Sequence, residues 1–138
     1  VDITRTYCIG NLPATPRNAY QVAQEIQEKI VAKAKPGTKC GVLYDLAVEL
    51  AAKYGLEQNF MGYTEQAKFV GHGIGLELNE LPVLASRFNA ELQPGMVIAI
   101  EPKFVFPAMG AVGIENTFVM GEKGLENLTP IAEEIVIV

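Results

Sequence analysis

Two segments in the first half of the chain carry apolar residues at helical spacing. Thr15 and Pro16 are typical of an N-cap followed by the first helical position, and this first pattern ends before Pro36. Its apolar positions are Ala19, Val22, Ala23, Ile26 and Ile30. The second segment follows Thr38 and ends at Gly55, with apolar positions Leu43, Leu46, Ala47, Leu50 and Ala51. Two amphipathic helices are therefore predicted.

From about residue 68 onward the pattern changes to short β-rich runs separated by glycine and proline. These runs read KFVG, MVIAIEPKFVF, AVGIENTFVM and EEIVIV. The opening residues, VDITRTYCIG, also form a strand-like run rich in β-branched side chains. A strand, two helices and then several strands predict an α+β domain in which two helices pack on an antiparallel sheet.

Composition narrows the functional classes. With 138 residues and 49% hydrophobic residues, the chain has the size of one domain with a substantial core. Its formal net charge of −5 argues against nucleic acid or anionic membrane as partners and leaves a small or peptidic substrate open. No apolar run is long enough to span a bilayer, so we expect a cytoplasmic location. Cys8 and Cys40 have no CxxC spacing and are expected to be reduced thiols.

Two glutamates fall at positions that strand alternation turns toward the core. In MVIAIEPKF, Glu101 shares a face with Val97 and Ala99. In AVGIENTFVM, Glu115 shares a face with small residues that include Gly113, which leaves room beside the carboxylate. A carboxylate in such a place is costly unless it is paired or bound to a metal.

Asp2 and His72 add to this pattern. Asp2 lies between two β-branched residues in the opening run, and His72 is the only histidine of the chain. The glycines at 71, 73 and 75 suit close backbone approach beside a metal, or equally a tight turn or bulge around a structural histidine. Taken together, ligands of the Asp, His, Glu and Glu type suit a hydrolytic site for manganese, cobalt, iron or zinc.

The order of five short motifs resembles one known family. The motifs D-x-T-R-T, G-H-G-x-G-L-E, P-G-M-V-x-x-I-E-P, G-x-x-x-I-E-N-T and G-x-E-x-L-T span nearly the whole chain. They resemble the pita-bread metallopeptidases, which include aminopeptidase P, Xaa-Pro dipeptidase (prolidase), methionine aminopeptidase and creatinase. The residues of the GLE and IEPKF segments are most similar to those of the Xaa-Pro branch. The resemblance implies a pita-bread fold with the metal ligands Asp2, His72, Glu101 and Glu115.

The resemblance also implies an activity. A metal-activated water would hydrolyse an N-terminal peptide bond, most closely an Xaa-Pro bond, with Glu101 helping to accept the proton of the water. His72 and Asn79 are the implied substrate-binding residues, and Asn79 stands at a catalytic position. The family implies two divalent ions, with manganese or cobalt preferred and zinc or iron as alternatives. We expect a peptide substrate, no nucleic-acid or membrane partner, and a homodimer.

By the same resemblance, the family's first metal-binding aspartate and a substrate-contacting histidine precede the position of Val1. We therefore expect residues 1–138 to form the C-terminal portion of a catalytic domain. Such a fragment is expected to bind at most one divalent ion well, to be nearly inactive by itself, and to expose a free strand edge near Asp2.

Three positions depart from the family pattern. Asn79 replaces a histidine of an H-E-x-P segment, and an amide cannot shuttle a proton as an imidazole does. Gly113 stands where Xaa-Pro peptidases commonly carry arginine, and Asn116 stands where they commonly carry aspartate. Two alternatives therefore stay open: a catalytically impaired module that binds peptides or proteins, and a related C–N hydrolase such as methionine aminopeptidase or creatinase.

Overall fold

A computed structural model describes residues 1–138. It contains two helices, α1 (Ala14–Lys33) and α2 (Cys40–Lys53). The strands are β1 (Tyr7–Cys8), β2 (Phe69–Gly73), β3 (Glu80–Ala85), β4 (Val97–Ile100), β5 (Lys103–Phe106), β6 (Gly110–Gly113), β7 (Asn116–Met120), β8 (Leu125–Asn127) and β9 (Val136–Ile137). Neither helix combines the length and the apolar content needed to cross a bilayer.

Both predicted helices are present, and the start of the first one differs from the prediction. Helix α1 begins at Ala14 with Pro13 in the N-cap position, where no side chain caps the helix. The predicted N-cap, Thr15, is therefore wrong, because the fixed φ of Pro13 already sets the extended residue before the first turn. Helix α2 ends at Lys53, two residues before the predicted stop at Gly55, which has a φ of 67°.

The predicted antiparallel sheet is confirmed, with five strands in the order β3-β2-β4-β7-β8. Its two edge strands, β3 and β8, were not predicted from the sequence. Strand β3 contains Pro82, which weakens the strand pattern but is tolerated at a sheet edge, where one side of the backbone has no partner. Helix α2 packs against β2 and β3, and helix α1 packs against α2, β5 and β6.

The central hairpin is broken at the same level in both of its strands. The run MVIAIEPKFVF is divided into β4 and β5 at Glu101 and Pro102, and AVGIENTFVM is divided into β6 and β7 at Ile114 and Glu115. Strands β4 and β7 pair in the large sheet, and β5 and β6 continue the same hairpin as a separate two-stranded ribbon. Pro102 has no N–H to donate, which explains why the ladder stops there. The sequence had suggested that each inward glutamate lies inside a continuous strand. In the structure each one lies at the break between two strands.

The opening run forms less strand than predicted. Only Tyr7–Cys8 is regular, and it pairs in parallel with β9. Before it, Thr4 makes a single antiparallel bridge to Glu115. On either side of this bridge, side-chain hydrogen bonds replace the backbone ladder, between Asp2 and Thr117 and between Thr6 and Gly113. The side chains of Tyr7 and Ile9 are exposed here, at 67% and 90%.

One hydrophobic core lies between the helices and the sheet, and the four predicted site residues lie at its border. Its fully buried side chains include Ile26, Ile30, Leu43, Leu84, Ile98, Ile100 and Phe104. All five apolar positions predicted for α1 are buried. Cys8 and Cys40 are both free thiols, and Cys40 is fully buried in the core.

Candidate metal centre

Four acidic or imidazole side chains from distant parts of the chain meet at one point. The Nε2 atom of His72 lies 3.6 Å from Oε1 of Glu101 and 4.0 Å from both Oδ2 of Asp2 and Oε1 of Glu115. Strand β2 supplies the histidine, the two breaks of the central hairpin supply the glutamates, and the N-terminal segment supplies the aspartate. The four residues that the sequence singled out are thus brought together.

The imidazole of His72 is held in one orientation. Its Nδ1 lies 3.1 Å from the carbonyl oxygen of Gly73, and because a carbonyl only accepts, Nδ1 carries the hydrogen of this bond. In the neutral ring the lone pair is then on Nε2, which faces the three carboxylates. A Cβ atom at Gly73 would lie only 2.5 Å from the carbonyl oxygen of Leu81 in the neighbouring strand. The glycine therefore serves the close approach of β3 beside the histidine.

Glu115 is the most deeply buried of the acids, with 5% of its surface exposed. Burial raises the pKa of this carboxyl, the nearby charges of Glu101 and Asp2 raise it further, and the hydrogen bond from Thr4 and the charge of His72 lower it. The Thr4 hydroxyl donates to Oε2 at 2.5 Å, which leaves Oε1 on the side of His72. The site thus holds negative charge that the protein alone does not neutralise.

This burial predicts a pH-dependent stability of the metal-free protein. Since the pKa of Glu115 is raised, this carboxyl stays protonated to a higher pH in the folded state than in the unfolded state. The free energy of unfolding should therefore fall as pH rises from the usual carboxyl pKa through the raised one. Glu115→Gln removes the part of this fall in unfolding free energy that is due to ionisation of Glu115. The variant should therefore be more stable than the parent sequence at neutral pH. Urea unfolding in chelator from pH 4 to 8 measures it; equal pH slopes for the two proteins would contradict it.

The donor set fits a divalent metal ion. One ligand atom each from Asp2, His72 and Glu115 lie within 4.8 Å of one another. Carboxylate oxygens with one imidazole nitrogen suit manganese, cobalt, iron or zinc. The backbone of Asp2 is also fixed, because its N–H donates to Thr117 Oγ1 at 2.7 Å and its carbonyl accepts from the same hydroxyl at 2.8 Å. Positioned acids, of which Glu115 is buried, next to an oriented imidazole are what such an ion requires.

Glu101 belongs to this cluster, whereas Asn79 does not. Glu101 directs Oε1 toward His72, while its Oε2 accepts a hydrogen bond of 2.6 Å from the ammonium group of Lys103. Asn79 is outside the cluster, exposed in the connection between β2 and β3. It lines a cavity of about 310 Å³ together with His72. Lys103 was not recognised from the sequence, where it reads as an ordinary surface lysine.

A second buried hydrogen-bond network surrounds Asn116, the residue that follows Glu115. The sequence analysis did not predict this network. The amide of Asn116 is fully buried and uses both of its ends. Its Nδ2 donates to Gln27 Oε1 and to Glu133 Oε1, both at 2.8 Å, and its Oδ1 accepts from Arg5 and from Thr129. Asn116 replaces the aspartate common in Xaa-Pro peptidases, and here the amide supplies the donor that the carboxylate of Glu133 needs.

This network predicts that Asn116→Asp is destabilising. A carboxylate at this position would face Gln27 Oε1 and the Glu133 carboxylate, and both are acceptors. We expect a loss of about 2 kcal/mol in the free energy of unfolding at pH 7, measured by chemical denaturation. Adding Glu133→Gln returns a donor and should recover at least half of the loss. A single variant as stable as the parent sequence would contradict the assignment.

Comparisons with known proteins agree with this geometry. The family described as metallopeptidase family M24 matches residues 1–122. The chain is 36% identical over 134 residues to the Xaa-Pro dipeptidase of Pyrococcus furiosus, covering 97% of this chain and 37% of that protein. The crystal structure of the X-Pro aminopeptidase from Thermotoga maritima superposes with a TM-score of 0.89 at 30% identity, covering all of this chain and 38% of the other. The prolidase structure from Pyrococcus horikoshii gives 0.86 at 34%, with 97% and 37% covered.

These findings confirm the resemblance that the motifs indicated, including the pita-bread fold. The chain spans about 37% of the length of the Xaa-Pro dipeptidase that it matches. The family match includes the segments that carry all four clustered side chains, from Asp2 to Glu115. By its sequence and by its fold, the chain belongs to metallopeptidase family M24.

Proposed function

We propose that this chain is the C-terminal portion of a longer peptidase catalytic domain that hydrolyses an N-terminal Xaa-Pro peptide bond with the help of divalent metal. The observation that carries the proposal is the convergence of Asp2, Glu101 and Glu115 on Nε2 of His72, at 3.6 to 4.0 Å. The preference for proline rests on relatives described as Xaa-Pro dipeptidase and prolidase. Their partial coverage by this chain supports the proposal that a longer domain completes the site.

Asp2, His72, Glu101 and Glu115 would hold the metal, with manganese or cobalt preferred over zinc or iron. When bound, divalent ions supply an activated water and stabilise the charge that develops on the carbonyl oxygen. Glu101 is the acid placed to receive the proton, because its Oε1 faces the cluster while Lys103 holds its Oε2. Thr4 keeps Glu115 in place by donating to the oxygen that faces away from the histidine.

His72 and Asn79 are the proposed substrate contacts on the other side. Both line the cavity of about 310 Å³ that opens between β2 and β3. The Asn79 side chain is exposed there, so its amide can donate to a peptide carbonyl, but it cannot transfer a proton as histidine would. In this proposal Asn79 orients the substrate, and Glu101 performs the proton transfer.

The proposed function also includes the location, the partners and the oligomeric state of the enzyme. The net charge of −5 argues against nucleic acid or anionic membrane as partners, and we propose a cytoplasmic protein that acts on peptides. We also propose a homodimer, for which exposed apolar side chains such as Tyr7 and Ile9 are candidate contacts. Light scattering on the longer protein tests the dimer, and a monomer at all concentrations would contradict it.

Hydrolysis assays test the reaction itself. The longer protein should be stripped of metal, reloaded with manganese or cobalt, and supplied with Xaa-Pro dipeptides, Xaa-Pro-Yaa peptides and peptides with N-terminal methionine. We expect metal-dependent cleavage of the Xaa-Pro substrates. Cleavage of the methionine peptides alone would assign a different specificity, and a metal-loaded protein inert on every peptide would support a binding module.

A further inference from the structure

A second cavity, of about 180 Å³, borders the candidate metal centre on the side of the β5–β6 ribbon. Glu101 and Glu115 line one wall, and the remaining polar wall contains Thr4, Arg5 and Lys103. Its apolar lining residues are Tyr7, Ala111, Val112 and Ile114. The cavity therefore offers an apolar surface and two cationic side chains directly beside the acids proposed to hold the metal.

Arg5 has no donor left for a ligand. Its Nε donates to a backbone carbonyl at 2.7 Å, and its Nη1 donates to the carbonyls of Thr4 and Glu115 at 2.9 and 2.8 Å. Its Nη2 donates to Asn116 Oδ1 at 2.8 Å and to a further carbonyl at 3.3 Å. A guanidinium has five N–H groups, and all five are used by the protein. Arg5 is therefore a structural residue that ties the N-terminal segment to β7.

Lys103 is in the opposite situation. Its only ion pair is the 2.6 Å contact with Oε2 of Glu101, and 41% of its side chain is exposed. This contact uses one of the three N–H donors of the ammonium group. Two donors therefore remain for a ligand in the cavity that Lys103 lines.

The sequence makes room for this lysine. Lys103 is the direct cross-strand neighbour of Gly113. A Cβ atom at position 113 would lie 2.6 Å from the Cβ of Lys103 and 2.9 Å from the carbonyl oxygen of Pro102. A larger residue at 113 would therefore push the facing strand away. The glycine thus permits the close approach of β5 and β6 at the pair that carries the lysine.

We propose that Lys103 is a specificity-determining residue that binds the C-terminal carboxylate of a dipeptide substrate. The inference rests on the proposed function and narrows it from Xaa-Pro peptides in general to free dipeptides. The apolar lining contacts the side chain of the second residue, and the ammonium group donates a charge-assisted hydrogen bond to its carboxylate.

Distance favours a dipeptide over a longer peptide. The lysine contacts a carboxylate that itself lies 3.6 Å from His72 Nε2, so the cation is close to the place of the scissile bond. In a dipeptide the terminal carboxylate lies one residue, roughly 3.5 Å, beyond the scissile bond. Each further residue moves the carboxylate on by about the same length and leaves a neutral carbonyl beside Lys103.

Binding of the product and of its neutral analogue tests the proposal directly. Calorimetric titration of the metal-saturated longer protein should show tighter binding of proline than of prolinamide. In Lys103→Met we expect proline binding to weaken about 10-fold to 100-fold, and prolinamide binding to change less than about 2-fold. Lys103→Arg should keep most of the affinity for proline. The matched control is Lys123→Met, in the exposed turn before β8, which should leave both ligands unaffected.

Kinetics on an Xaa-Pro dipeptide and its C-terminal amide give the second readout. Lys103→Met should raise KM for the dipeptide much more than for the amide, whereas any effect of the lost contact with Glu101 should lower kcat for both substrates alike. Equal proline binding by the parent protein and Lys103→Met, or no proline binding at all, overturns the inference. If peptides are cleaved regardless of their terminal charge, the inference fails while the proposed function stands. If no peptide is cleaved but proline binding depends on Lys103, the carboxylate site stands and the proposed reaction is wrong.

Discussion

Replacement of Glu115 by glutamine should abolish Xaa-Pro hydrolysis by the longer, metal-loaded protein, with kcat/KM lowered by at least about 1,000-fold. The amide keeps an oxygen that accepts the hydrogen bond from Thr4, so the backbone and the bridge at this position are preserved. It removes the negative charge 4.0 Å from His72 Nε2, and with it a ligand of the proposed ion. Steady-state assays and equilibrium titration with manganese measure the two losses separately.

Glu126→Gln provides the control for this experiment. Glu126 lies in the edge strand β8 with its side chain exposed, so the same chemical change there should alter neither activity nor metal affinity. Circular dichroism should show that both variants are folded. A Glu115→Gln protein that retained more than a tenth of the parent activity would rule out this carboxylate as a metal ligand.

Residues 1–138 expressed by themselves should show at least about 1,000-fold lower activity than the longer protein. The cluster offers one imidazole and three carboxylates, and one oxygen of Glu101 is occupied by Lys103. This donor set is enough for one divalent ion, whereas the two-ion arrangement implied by the family needs further ligands. Without a second ion, the attacking water and the carbonyl oxygen of the substrate would no longer both be stabilised by metal.

Metal stoichiometry separates this explanation from simple misfolding. The isolated chain should bind one manganese ion per chain in a titration, and His72→Ala should remove that binding while the circular dichroism spectrum stays unchanged. Two ions bound to the isolated chain, or robust Xaa-Pro hydrolysis by it, would show that residues 1–138 already contain the complete site.

The sequence predicted those parts of the structure that depend on local pattern. Helical spacing identified both helices, because their apolar stripes are uninterrupted, and strand alternation marked Glu101 and Glu115 as inward acids. The edge strand β3 was not predicted, because Pro82 interrupts its strand pattern. Proline is tolerated there because β3 lies at the edge of the sheet, which the sequence does not reveal.

The site residues that escaped prediction are those defined by a partner far along the chain. Lys103 has its ion-pair partner Glu101 only two positions away, but the cavity that both residues line is completed by β6, and strand register is not visible in a single sequence. Asn116 is likewise explained by Gln27 in α1 and Glu133 near the end of the chain. Pairings of this kind are set by tertiary packing, so neither spacing nor composition could have revealed them.

The bond between Thr4 and Glu115 has a consequence for synthesis on the ribosome. Its two residues are 111 positions apart, and Asp2 is 115 positions from its partner Thr117. At about 5 to 20 residues per second, the N-terminal segment waits roughly 6 to 23 seconds before its partners have been translated. Glu101 and Glu115, by contrast, belong to one hairpin and emerge within a few seconds of each other. Translation therefore supplies the two glutamates of the hairpin together, whereas Asp2, made before the other three ligands, waits longest for its neighbours.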